Sequence, residues 1–170
     1  MILRPATPDD VPRLNAWDNA AHVIAAVGAE QMVDWRGELA RADRDYEILI
    51  AEADRPIGVV LVKDPSLEPE AGWGAIGPGS RAITLWIGDE ADCGQGLGAQ
   101  MMRLALARCF AERAVRRIYA APLGRAMRAR MFFARLGFQE RERRVFNKRY
   151  CVLYRLDKAD WAAMRRQPSR

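Results

Sequence analysis

The chain has 170 residues, 50% hydrophobic and 29% charged, with a formal net charge of +5. That length and balance fit a single domain over residues 1–170 and exclude a disordered or collagen-like chain. No run approaches the roughly 18 to 20 apolar residues that a bilayer span needs, and Met1-Ile-Leu-Arg-Pro5 lacks the layout of a signal peptide, so no membrane association and a cytoplasmic location are expected.

Cysteine usage narrows the chemistry further. Cys93, Cys109 and Cys151 are odd in number and widely spaced, and His22 is the one histidine, so neither a disulfide framework nor a metal site is expected. Charge is more informative. Residues 1–100 hold 8 Lys and Arg against 17 Asp and Glu, a balance of −9, whereas residues 101–170 carry +14. An acidic half attracts amines and a basic half attracts phosphates, so one molecule can hold a cationic substrate and a polyanionic cofactor together.

Met1 to Arg4 reads as a short strand. Thr7-Pro8-Asp9-Asp10 then caps a helix through Val11, Leu14 and Trp17. Asn19 to Val27 reads as a loop, and residues 28–42 as a second helix with Met32, Trp35 and Leu39 on one face. Tyr46–Glu52 and Ile57–Val62 are β-branched runs joined by Ala53-Asp-Arg-Pro56, an antiparallel hairpin.

Pro65–Gly79 is loop. Ala82–Ile87 is the next strand, and it leads through Gly88–Gly98 into a helix from Ala99 to Glu112. Arg117–Ala121 is a short strand, Arg125–Leu136 a helix closed by Gly137, and Phe138–Leu156 two strands around Asn147-Lys148. Asp160–Arg170 is a short helix with a frayed tail. This order predicts an α/β (α+β) fold, with a mixed sheet and helices on both faces.

Gly94-Gln95-Gly96-Leu97-Gly98 lies between a strand and a helix. Glycines there let a ligand approach the backbone, and the amides of the helix end point outward at an anion, commonly a phosphate or pyrophosphate. No Lys-Ser or Lys-Thr follows, which excludes a Walker loop, and the glycine spacing is not that of a dinucleotide fingerprint.

With Gly96-Leu97-Gly98-Ala99 after a strand, and Arg128-Ala129 followed by Phe132-Phe133-Ala-Arg-Leu-Gly-Phe138, the chain resembles the GCN5-related N-acetyltransferases. The resemblance implies a mostly antiparallel central sheet of about seven strands flanked by about four helices. It also implies direct transfer of an acetyl group from acetyl-CoA to a primary amine of a small molecule. Asp10-Val-Pro-Arg-Leu14, Trp17, His22-Val23, Pro56-Ile-Gly58, Pro78-Gly79 and Trp86-Ile-Gly-Asp89 are similar to the aminoglycoside 6'-N-acetyltransferase and siderophore-biosynthesis branch.

The resemblance places the cofactor pyrophosphate on amides from Gln95, Gly96, Leu97, Gly98 and Ala99, and the pantetheine arm along Leu85, Trp86 and Ile87, with Arg128 and Phe133 closing the cofactor site. Thr84 and His22 are the candidate catalytic residues, and Asp34, Trp35 and Trp73 the candidate substrate contacts. The chain departs from the family pattern at four points. Cys93 stands where the motif has Arg or Gln, Phe133 where a tyrosine is frequent, Ala126 where many members have Asn, and Thr84 where the aminoglycoside branch often has Asp. Alternative readings are an aminoglycoside-resistance enzyme, a protein or peptide N-acetyltransferase, or a non-catalytic CoA-binding module. Exposed final strands leave a homodimer open, and the spread of the arginines over several elements disfavours nucleic-acid binding.

Overall fold

The structure, a computed structural model, describes residues 1–28, 33–43, 45–146 and 148–166. Seven strands, β1 (Ile2–Pro5), β2 (Tyr46–Glu52), β3 (Pro56–Lys63), β4 (Ser80–Ile87), β5 (Arg117–Ala120), β6 (Gln139–Phe146) and β7 (Arg149–Asp157), form one sheet in the order β1-β2-β3-β4-β5-β7-β6. β1–β2, β2–β3, β5–β7 and β6–β7 are antiparallel, and β4–β5 is parallel. Among the described residues there are six α-helices: α1 (Val11–Asp18), α2 (Ala21–Val27), α3 (Trp35–Arg41), α4 (Leu97–Ala111), α5 (Met127–Arg135) and α6 (Lys158–Arg166). None is long and apolar enough to cross a membrane.

Helix α2 replaces the loop expected over Asn19–Val27. Val23 is buried, with Ala20 and Val27 packed beside it at a spacing of three and four, and the alanines favour helix. The segment is only two turns long and its N-cap, Ala20, makes no side-chain cap bond, so no local start signal marks it. Gly28, at φ 98°, ends α2 within the stretch expected to begin the next helix. Helix α3 instead starts at Trp35, with Asp34 as its cap. Met32, Asn147 and the tail from Gln167 lie outside the described residues.

The chain packs as two compact units, Met1–Lys63 with Ile83–Leu106, and Asp64–Ala82 with Ala107–Arg170. The core of the first joins Leu14, Trp17, Val23, Trp35, Ile48, Ile50, Val59 and Trp86. Two glycines are required by that packing. A Cβ on Gly58 would meet the main-chain oxygen of Trp86, and one on Gly88 would lie inside the Trp17 indole. Near the N-terminus the Arg4 guanidinium grips Asp10 at 2.7 and 2.9 Å, and the Asp10 carboxylate also accepts from the Thr7 N–H. Arg4 holds the buried Asp10 carboxyl below its ordinary range, at about 2.

In the second unit, Trp73, Ala82, Tyr119 and Leu153 form one cluster, with Phe146 against it. Arg81 is buried and reaches two carboxylates, Asp64 and Glu112, each at 3.0 Å. A buried cation so paired tolerates the loss of water that an isolated one does not.

Candidate functional site

The glycine turn starts from a short 3-10 turn, Glu90–Asp92, whose Asp92 is buried. Gly94 and Gly96 take φ of 79° and 80°, the left-handed region that other residues enter at a cost, and apart from the adjoining residues no described atom lies within 4 Å of where either Cβ would be. The Gly96 carbonyl accepts from the Ala99 and Gln100 amides at 3.1 and 3.2 Å, so Gly96 begins the 15-residue α4. The Leu97 and Gly98 amides of that first turn have no carbonyl behind them in the helix, whereas the Ala99 amide is already spent on Gly96.

Gln95 donates its side-chain amide to the Ala91 carbonyl at 2.6 Å and so braces the turn. An open backbone cradle at positive φ, at the N-terminus of a helix of four turns, has the donor chemistry that a pyrophosphate requires. The residues present therefore fit a CoA-type cofactor.

Strand β4 leads directly into that turn. Thr84 is exposed, Leu85 and Ile87 are half-buried, and Trp86 is buried with its ring 6.1 Å from Trp35. Trp86 and Trp35, expected at the cofactor and substrate respectively, thus face each other in the core. The Gly88 N–H donates to the Ile57 carbonyl at 2.9 Å, and alternation along the strand turns the peptide groups of Ile87 away from β3. His22 meets Ile87 there, its Nε2 3.0 Å from the carbonyl oxygen. A carbonyl only accepts, so Nε2 carries the proton and Nδ1 is left to take one. A cleft of about 680 Å³ opens beside this pair, lined by Arg13, Trp17, His22, Arg55, Gly88 and Glu90 among others.

Asp34 is exposed and accepts from the Gly37 N–H at 3.2 Å as the cap of α3. The carboxylate that engages Trp35 is a different one, Asp18, which accepts from the indole N–H at 2.7 Å. Burial pushes the Asp18 carboxyl up, against the hydrogen bonds from Trp35 and the Val33 amide. Sequence reading missed Asp18, because its partner is 17 residues away and no spacing rule connects them.

In the second unit, Arg128 is exposed on α5. Phe133 is buried, edge-on to Phe138 at 5.3 Å and stacked on Tyr154 at 6.0 Å. The Tyr154 hydroxyl donates to Glu140 at 3.1 Å, and Arg130 donates to Glu140 at the same distance. Trp73 is also buried, with its ring 4.8 Å from Phe146 and its carbonyl accepting from Arg144. The Trp73 indole packs with Ala82, Tyr119 and Leu153 in the core of this unit. Among the described residues no group of His, Cys, Asp and Glu is gathered as metal ligands would be.

Residues 6–146 match the family model described as Acetyltransferase (GNAT) domain. The chain belongs to this acetyltransferase family, and it is an acetyl-CoA-dependent N-acetyltransferase. Among solved structures, aminoglycoside acetyltransferase AAC(6')-Ib in complex with coenzyme A is similar with a TM-score of 0.87 and 21% identity, over 96% of this chain and 98% of that one. An uncharacterized protein from Bacillus halodurans gives a TM-score of 0.84 at 22% identity, over 95% and 86% of the two chains. Aminoglycoside N(6')acetyltransferase from Legionella pneumophila gives 0.75 at 15% identity, over 95% and 94%. At such identities the fold is what is shared. A search of curated proteins finds no sequence match.

Proposed function

We propose that this enzyme acetylates a primary amine on a small cationic molecule, with amides from Gln95 to Gly98 holding the cofactor pyrophosphate. The observation that carries the cofactor reading is the open positive-φ turn at Gly94 and Gly96 leading into α4. The acidic balance of residues 1–100 supports a cationic acceptor. Both units belong to one acetyltransferase domain over 1–170 in this reading, because the family match runs through both. A cytoplasmic location goes with this reading, since Cys93, Cys109 and Cys151, odd in number and widely spaced, do not have the pattern of a secreted disulfide framework.

Bound acetyl-CoA supplies the thioester, whose acyl group passes to the amine nitrogen as the C–S bond breaks and the sulfur takes the electron pair. Leu85 and Ile87 would align the pantetheine arm along β4. Thr84, exposed on β4, orders a water that takes the proton lost by nitrogen, and His22 Nδ1 receives it. No phenol stands at Phe133, so the thiolate leaves as such or is protonated by water. An outer strand, β6, offers a second copy an unpaired sheet edge.

A second reading, an aminoglycoside 6'-N-acetyltransferase, is favoured by similarity to AAC(6')-Ib, which has been solved with coenzyme A and kanamycin. Thiol release from acetyl-CoA against aminoglycosides, polyamines, hydroxylated diamines and N-terminal peptides tests both readings. Turnover on amine-rich sugars alone selects the second, turnover on other small amines selects the first, and turnover only on peptides overturns both.

A further inference from the structure

Three carboxylates, Asp89, Glu90 and Asp92, stand within seven residues before Gly96. Unopposed, they would repel the pyrophosphate that the turn is read to hold, the buried Asp92 most of all because water screens its charge least. The structure supplies the opposing charge from a distant part of the chain. Arg55, at the turn of the β2–β3 hairpin, donates from Nη2 to both oxygens of Asp92 at 2.8 Å and from Nη1 to Asp89 at 3.1 Å. The Asp92 side chain is 10% exposed, so its charge would be poorly screened by water without this partner. Arg55 also ties the hairpin to the entry of the glycine turn, and the Gly88 amide bond to Ile57 closes the same corner.

We infer that Arg55 is a positioning residue for the cofactor pyrophosphate: it offsets the charge of Asp92 and Asp89 before the glycine turn and holds the turn open to the anion. The inference rests on the reading of that turn given above. It separates two parts of one ligand. Affinity for the pyrophosphate depends on Arg55, and affinity for the pantetheine arm does not.

Isothermal titration with CoA and with pantetheine, which lacks the pyrophosphate and nucleotide, makes the test without any acceptor. The variants are Arg55→Ala, Arg55→Lys and the double change Arg55→Ala with Asp92→Asn. For Arg55→Ala the expected loss in CoA affinity is about two- to fivefold, the scale of one partly exposed charge contact, with pantetheine affinity unchanged. Arg55→Lys keeps the charge and recovers part of the loss. The double change removes the charge that Arg55 opposed and recovers most of it.

Equal loss for both ligands makes Arg55 a purely structural residue and overturns the inference. Unchanged CoA affinity in Arg55→Ala, with the native protein preferring CoA to pantetheine, overturns it while leaving the glycine turn as the cofactor site. A native protein that binds both ligands equally, or neither, overturns the reading of the turn and the inference with it.

Discussion

His22 Nε2 lies 3.0 Å from the main-chain oxygen of Ile87, which joins helix α2 to the end of the strand that enters the glycine turn. The bond commits Nε2 to donating and leaves Nδ1 as the proton acceptor. A glutamine at position 22 places a donor near the former Nε2 and offers no base. His22→Gln therefore loses about 100-fold in kcat with KM for acetyl-CoA unchanged, whereas His22→Ala raises that KM as well. Steady-state kinetics of the two variants make the check, and native kcat in His22→Gln removes His22 from the proton path.

The Arg4–Asp10 pair predicts a pH dependence of stability. Arg4 lowers the folded-state value of Asp10 from 3.8 to about 2, so the pair stabilises the fold above pH 4 and that contribution is lost as pH falls towards 2. Asp10→Asn should cost about 2 kcal/mol at pH 7, with the gap from the native protein closing near pH 2. Urea unfolding at a series of pH values reads it. A gap that stays constant with pH would point to lost hydrogen bonds rather than lost charge.

Asp18 has the opposite sign. Burial raises its folded-state value, so ionisation works against the fold and stability falls as pH rises through that value. Asp18→Asn keeps an acceptor for the Trp35 indole and is expected to be neutral or stabilising at pH 7. Asp18→Ala leaves that buried N–H without its acceptor and should cost about 1–3 kcal/mol. Thermal unfolding of both variants decides between a structural anchor and a carboxylate that the fold needs charged.

Two glycines should respond differently to alanine. Gly58→Ala drives a methyl into the Trp86 main chain, which cannot move aside as a side chain can, and is expected to destabilise by about 1–3 kcal/mol. Gly96→Ala meets open space and incurs only the strain of its positive φ, about 1–2 kcal/mol. It also narrows the cradle, so CoA affinity should fall more than stability does. Calorimetry and thermal unfolding on the pair would show whether the two effects separate.

Short-range order was legible in the amino-acid sequence. The Tyr46–Glu52 and Ile57–Val62 runs read as a hairpin and are one, and the helix after the glycines begins at Leu97 instead of Ala99. The seven-stranded, mostly antiparallel sheet follows from the resemblance, which the family match bears out. Helix α2 escaped because a two-turn segment without a polar cap carries too little pattern to stand out from a loop.

The sequence by itself determined where the chain turns, which runs alternate and where glycines lead into a helix, since those depend on residues a few places apart. Tertiary structure alone decided which side chains meet. Arg55 finds Asp92 across 37 residues and His22 finds Ile87 across 65, through the packing of helices and strands that no local spacing encodes. It also sent Trp35 and Trp73 into the cores of separate units and left Asp34 in water, because a large apolar ring gains more from burial than a short carboxylate does.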